Sequence, residues 1–286
     1  MSLTREQFNV LVKYATGEGS SVSENTDAGV MNELISRGYV ADGRITQSGT
    51  DALEPYRAKR AIFIAAGFGS RLVPITLNTP KPLVRVNGAR IIDRLIDACL
   101  KAEIEEIYIV RGYLGEQFDQ LLYKYPMIKF LENPTYNEAN NIGSSLIAKD
   151  YLQNSYVFEA DLLISNPDII TKYHYTSDFL AIKVDKTDDW CFEVTDGIIT
   201  EEKVAGEDCW QMVGISFWSE EDGRQLADDI PAVFEMPDGK TRYWDQVPLV
   251  FRKENYKVEI RECFFEDIVE IDTFEELKKI DPAYNV

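Results

Sequence analysis

Histidine is nearly missing from this sequence: His174 is the single one in 286 residues. Cysteine is scarce too, with Cys99, Cys191, Cys209 and Cys263 scattered and no C-x-x-C spacing among them. One histidine and four isolated cysteines argue against a zinc cluster and point to reduced thiols, hence to the cytoplasm. No apolar run reaches 18 residues, and the amino terminus MSLTREQFNVL is polar, so neither a membrane span nor a signal peptide is expected. Positive charge is outnumbered, 30 Lys and Arg against 49 Asp and Glu, for a formal net charge of -19. Such a chain repels nucleic acid and anionic membrane, and an anionic substrate must be met by cations placed locally. No internal repeat or low-complexity segment is present.

What the sequence does have is the apolar content, 45%, and the length of a large α/β domain with a small appendage. Residues 1–57 read as that appendage. Thr4 caps a helix over Arg5–Thr16, Gly17-Glu18-Gly19-Ser20-Ser21 breaks it, and Asp27 to Arg37 forms a second helix. A short hairpin through Asp42-Gly43 and a helix near Ser48–Tyr56 follow. Helices followed by a small hairpin resemble a winged-helix domain. Such a module reads either as DNA-binding or as a docking or dimerisation module, and five Lys and Arg against eight Asp and Glu in residues 1–57 weigh against DNA, whose phosphates need a basic face. The module is a candidate surface for homodimerisation or partner docking.

From residue 58 to 286 strands alternate with helices: strands at 61–66, 106–110, 128–132 and 155–159, helices at 91–102, 115–123 and 141–151. This predicts a doubly wound, mostly parallel Rossmann-like sheet with ligands at the carboxyl ends of its strands. After about Asp178 the pattern turns strand-rich, with short strands at 179–184, 192–194, 197–200 and 214–218. Residues of about 179–250 are read as a lid.

The stretch from Ala61 to Val86 is the organising one. A buried apolar strand runs into Ala65-Ala66-Gly67-Phe68-Gly69-Ser70-Arg71, where small residues let backbone approach a phosphate and glycines permit φ > 0. Arg71 places a forked cation there, and Lys81, stiffened by Pro80 and Pro82, brings a second. Asp161 and Asp272 each follow an apolar strand, an arrangement suited to a Mg²⁺ ion on nucleotide phosphates or, equally, to capping a helix. Asn141 and Ser144 sit at a helix start, where they can cap it or read a base or ribose. Trp190, Phe192, Trp210, Phe217, Trp218 and Tyr243-Trp244-Asp245 are either core or a cage for a quaternary ammonium.

The order strand, A-A-G-x-G-S-R-L, P-x-T, P-K-P-L resembles the nucleotidyltransferases that join an NTP to a phosphorylated small molecule. With Y-N-E-A-N-N, E-A-D, G-I-S-F-W, Y-W-D and E-I-D, residues 60–281 look like the bacterial CTP:phosphocholine cytidylyltransferases. The resemblance implies that Ala65, Ala66, Gly67, Gly69, Ser70 and Arg71, with Asn141 and Ser144, bind CTP, and that Arg71, Lys81 and Asp161 are catalytic. It implies further that Asp161 and Asp272 hold Mg²⁺ and that Trp190, Tyr243, Trp244 and Asp245 receive choline. Phosphocholine would attack the α-phosphorus of CTP and pyrophosphate would leave. No general base is required, because the acceptor is already anionic, and His174 is read as structural. The rivals are a cytidylyltransferase for phosphoethanolamine or aminoethylphosphonate, a sugar-1-phosphate nucleotidylyltransferase, and a transcription regulator sensing CDP-choline or CTP.

Overall fold

The structure is a computed structural model and describes residues 2–19 and 28–285. Ser20, Ser21 and Asp27, where a helix break and a second helix start were expected, lie outside the described residues. The chain divides into two units, residues 1–57 with 173–175, and residues 58–172 with 176–286.

In the first unit, α1 (Arg5–Ala15) opens on a reciprocal cap in which Thr4 Oγ1 accepts from the Gln7 N–H and Gln7 returns the bond to Thr4. Then come α2 (Ala28–Ser36), a hairpin of β1 (Val40–Ala41) and β2 (Arg44–Ile45), and α3 (Gln47–Leu53), capped by Thr46. Asp42 and Gly43 both take positive φ, the turn geometry a two-residue hairpin requires. Leu11, Leu34, Val40 and Leu53 form a core that Tyr173 joins, and Tyr175 stacks on Tyr56 with ring centroids 5.7 Å apart.

The second unit begins with β3 (Arg60–Ala65), a small hairpin of β4 (Arg85–Val86) and β5 (Ala89–Arg90), and α4 (Ile91–Lys101). It continues through β6 (Glu106–Arg111), a 3-10 turn over Gly115–Tyr123 where an α-helix was expected, β7 (Lys129–Glu132), α5 (Ile142–Ala148), β8 (Ser155–Glu159) and β9 (Leu162–Ile164). Next are β10 (Asp178–Thr195), β11 (Ile198–Trp218), α6 (Glu220–Phe234), β12 (Glu259–Glu262), β13 (Ile268–Glu270) and α7 (Phe274–Ile280). Seven strands form one sheet in the order β10-β12-β11-β8-β3-β6-β7, and β3 runs parallel to both β6 and β8.

After Arg60, β3 is apolar because both its faces are covered. Ala61, Phe63 and Ala65 face the core that holds Leu95 and Ile96 of α4; Ile62 faces the one that holds Leu226 and Ile230 of α6. A strand buried on both sides loses the polar alternation of a surface strand.

The region read as a strand-rich lid is built otherwise. β10 and β11 are two continuous strands of 18 and 21 residues, and the 15-residue α6 follows within the same stretch. The ribbon folds back on itself: Cys191 pairs with both Lys203 and Gln211, and Phe192 with both Glu202 and Trp210. Polar residues interrupt the apolar pattern where the ribbon leaves the sheet, which is why its strands read as fragments. All four cysteines are buried free thiols. Among the described residues no helix is long and apolar enough to cross a membrane.

Candidate active site at the carboxyl ends of the parallel strands

β3 delivers the chain into the glycine loop at its carboxyl end. Gly69 has φ +67°, ψ 49° and opens the short turn Ser70–Leu72. A Cβ there would stand 3.2 Å from both Lys81 Cβ and Thr76 Cγ2, and Thr76 Oγ1 donates to the Gly69 carbonyl at 2.9 Å. Gly67 plays a different part. It needs no positive φ, and a Cβ on it would meet nothing within 4 Å, so its bare backbone faces open space. Gly67, Gly69, Ser70, Arg71 and Ala65 line a cleft of about 360 Å³. Ala66 is buried and does not line it; its carbonyl accepts from the Tyr113 N–H.

Lys81 reaches into this cleft from the turn between Pro80 and Pro82. Its ammonium donates to Asp161 Oδ2 at 2.8 Å and Asp272 Oδ1 at 3.0 Å. Arg71, largely exposed, pairs with the other oxygen of Asp272 at 2.6 Å. Burial alone would lower the Lys81 pKa, but the two carboxylates outweigh it and raise it. Burial likewise pushes Asp272 upward, and Lys81 overrides it to leave the carboxyl below its ordinary range.

Local structure explains how residues so distant in sequence meet. Asp161 lies two residues beyond β8, and Asp272 two beyond β13. β13 pairs antiparallel with β9, and the Ile271 N–H reaches the Asp161 carbonyl at 3.2 Å. Asp272 does not cap the helix that follows. Thr273 does, in a reciprocal cap with Glu276, whose carboxylate also takes the Asp272 N–H. The Asp272 side chain is thereby left to the cleft.

Two further carboxylates share the site and were not singled out from sequence: Glu159 and Glu270. Each precedes its aspartate by two residues, the spacing that puts side chains on one side of an extended chain. Glu159, Asp161 and Glu270 bring one carboxylate oxygen each within 4.8 Å of one another. Burial, then Asp161 and Asp272, pushes Glu270 up to about 10. Burial, then Asp161 and Asp245, pushes Glu159 well above the usual carboxylate range. Asp161 Oδ1 is buried with no hydrogen-bond partner. Converging hard oxygens, one of them unanswered, fit a small divalent cation of the Mg²⁺ kind.

Asn140 and Asn141 line the cleft. Asn141 stands at the cap position of α5 but makes no capping bond; it donates to Glu159 Oε1 at 3.3 Å and accepts from the Trp244 N–H at 2.8 Å. Ser144, expected to meet nucleotide, is buried and bonded to Asn133 Nδ2 at 3.1 Å, and it does not line the cleft.

The aromatic group divides. Tyr243 lines the cleft, and Trp190 packs edge-on against it with centroids 5.5 Å apart. Trp244 is in the core instead, stacked on Phe179 and edge-on to Trp218. The reading of Trp244 as a cage wall is corrected accordingly. The indole's large apolar area is satisfied by neighbouring rings rather than by the cleft. Asp245 is buried beside Glu202, another residue that sequence reasoning missed. Burial and then Asp245 push Glu202 up to about 10, and burial raises Asp245 in turn.

A strand feeding a glycine loop, two cations and a carboxylate cluster at the carboxyl ends of a parallel sheet make a site for a nucleoside triphosphate. The nucleotidyl transferase family model matches residues 60–204, and the chain belongs to that family. It is 36% identical over 228 residues to the 2-aminoethylphosphonate cytidylyltransferase of Lancefieldella rimae, covering 78% of this chain and 92% of that one. It is 30% identical over 226 residues to the choline-phosphate cytidylyltransferase of Streptococcus pneumoniae, covering 78% and 96%. The solved structure of a CTP:phosphocholine cytidylyltransferase from Streptococcus pneumoniae superposes with a TM-score of 0.73 at 30% identity, covering 79% of this chain and 99% of that one.

Proposed function

We propose that this chain transfers a cytidylyl group from CTP to the phosphate or phosphonate oxygen of a small acceptor bearing a cationic nitrogen, with release of pyrophosphate. Phosphocholine and 2-aminoethylphosphonate both belong to that class. The observation that carries the reading is Lys81, held between Asp161 and Asp272 in the cleft that the bare backbone of Gly67 also lines. The likeness to two cytidylyltransferases along nearly their whole length supports it.

The chemistry follows from the residues. The triphosphate lies along the Gly67–Ser70 loop, where backbone can approach without side-chain obstruction. Lys81 and Arg71 supply the positive charge that a pentacoordinate α-phosphorus and a departing pyrophosphate need. The acceptor oxygen is anionic at neutral pH, so the chain has only to orient it in line with the leaving group. Asp161 and Asp272, with Glu159 and Glu270 in reach, would hold Mg²⁺, which supplies charge neutralisation on the phosphates when bound. Asn140 and Asn141 are placed to read the nucleoside, and Tyr243 with Trp190 to flank the acceptor.

For residues 1–57, the order helix, helix, hairpin, helix supports a winged-helix-like docking module, and its acidic balance weighs against DNA.

The test is pyrophosphate release with CTP and Mg²⁺, comparing 2-aminoethylphosphonate, phosphocholine and glucose-1-phosphate. Release with the amine acceptors, lost in Asp161→Asn and after chelation of the metal, supports the proposal. Release with the sugar phosphate alone would overturn the acceptor class.

A further inference from the structure

The four buried thiols are not alike. Cys99 and Cys263 pack in the apolar core against the sheet, and Cys263 Sγ donates to the Ala181 carbonyl at 3.8 Å. Cys191 and Cys209 lie in the ribbon of β10 and β11 and, among the described residues, belong to none of the apolar clusters. Cys191 pairs with Gln211, and Cys209, two residues along the same strand, shares the face of Gln211. A Cβ on Gly206 would stand 2.9 Å from the sulfur of each, so the two sulfurs lie within twice that distance, and the Cys191 thiol interacts with that of Cys209. The bare backbone of Gly206 is thus the cover over both. On either side of it Ala205 has φ +63° and Asp208 φ +48°, left-handed values that cost free energy in a residue with a Cβ, and both are exposed. A strained, solvated stretch of chain over two neighbouring thiols is a place where the ribbon opens locally.

We propose that Cys191 and Cys209 are a dithiol modification site that reacts with a small-molecule disulfide and closes to a reversible bond clamping the folded-back ribbon. Burial first, then Cys209, raises the Cys191 thiol to about 11, while Lys203 acts in the opposite direction. Once the cover opens, burial no longer opposes the thiolate and the Lys203 ammonium favours it on Cys191. That sulfur attacks one sulfur of the small disulfide, whose S–S bond breaks, and a small thiol leaves. Cys209 then attacks Cys191 Sγ in the mixed disulfide, and a second small thiol leaves. The chain gives up two electrons and two protons, and one small disulfide becomes two thiols. The new bond spans the fold in the ribbon. Cys209 pairs with Val184 in the part that runs on from the sheet, and Cys191 pairs with Lys203 in the part that folds back. The neighbour of Cys191 is Trp190, whose ring packs on the cleft-lining Tyr243. Diagonal neighbours across a ribbon stand further apart than a relaxed disulfide prefers, so the bond is strained and readily reduced.

The experiment incubates the full chain with oxidised glutathione, counts free thiols in denaturant and follows limited trypsin digestion alongside. Two of the four thiols should be lost, peptide mapping should join Cys191 to Cys209, and dithiothreitol should restore all four. Cleavage after Lys203 should slow in the oxidised chain, because the clamp holds the folded-back part in place. Cys209→Ser should stop at a mixed disulfide on Cys191 and show no slowing, and Cys99→Ser should form the bond as the wild type does. If Cys209→Ser does not fold, the peptide map of the wild type decides. Four thiols left intact, a bond to Cys99 or Cys263, or a Cys209→Ser chain protected from trypsin as the oxidised wild type is, overturns the proposal. None of these readouts uses turnover, so each of those results leaves the cytidylyl-transfer reading standing.

Discussion

Lys81 Nζ stands 3.0 Å from Asp272 Oδ1, although the two residues are 191 positions apart in the chain. The same ammonium lies 2.8 Å from Asp161 Oδ2, so one side chain ties the turn after β8 to the turn after β13. Lys81→Met preserves the length of the side chain and removes its charge. Loss of this charge is expected to lower kcat/KM for pyrophosphate release by about 10³. Without divalent metal it should also destabilise the fold by about 3–5 kcal/mol, because buried carboxylates lose their counter-ion. Thermal melting with and without Mg²⁺ checks the second effect: the deficit should shrink when the metal is present.

The two loop glycines should respond differently to alanine. Gly69→Ala forces a side chain into a left-handed conformation and against Lys81, at a cost of about 1–2 kcal/mol. Gly67→Ala meets open space and should leave the melting temperature unchanged while raising the KM for CTP. Equal melting losses in both would show that Gly67 is required by the fold rather than by the ligand.

Trp244 and Tyr243, neighbours in sequence, should separate in the same way. Trp244→Ala empties a core position and should cost about 3–5 kcal/mol in chemical denaturation. Tyr243→Ala removes a half-exposed ring from the cleft and should act mainly on the acceptor KM, with little change in the denaturation midpoint.

Stability should fall as pH rises. Burial and Asp245 push the Glu202 carboxyl up to about 10 in the folded chain. The folded form therefore keeps a proton that the unfolded chain releases near the ordinary carboxylate range, and the stabilisation is lost progressively as pH climbs towards 10. Glu270 and Asp245, also raised, act in the same direction. Asp272, held low, contributes in the opposite sense and loses its contribution only in acid. In metal-free buffer the melting temperature should decline between pH 5 and pH 9, and Glu202→Gln should flatten the slope. An unchanged slope in that variant would show that Glu202 is ionised in the folded chain.

Much of this was legible in the chain itself. The strand at Ala61–Ala66, the glycine loop and the proline-flanked Lys81 are local features, and the structure places Gly67, Gly69, Arg71, Lys81, Asp161 and Asp272 in one cleft. Glu159 and Glu270 were less visible. A glutamate at a strand end reads as an ordinary solvated charge until burial is known, although the repeated E-x-D spacing was available as a signal. Trp244 and Ser144 were misplaced because a single sequence shows that an indole or a hydroxyl needs partners and does not show on which side those partners lie.

By itself, the sequence determined which chemistry is within reach. Its glycine loop, two placed cations and strand-end aspartates are set by neighbours a few residues away, where backbone sterics and strand periodicity govern. Tertiary structure decided which carboxylates share a cleft and which aromatic rings are core. Those outcomes depend on the pairing of β13 with β9 and on the ribbon of β10 and β11 folding back. Contacts such as that of β13 with β9, across more than a hundred residues, are chosen by the burial of whole strands and helices, and no short motif encodes them.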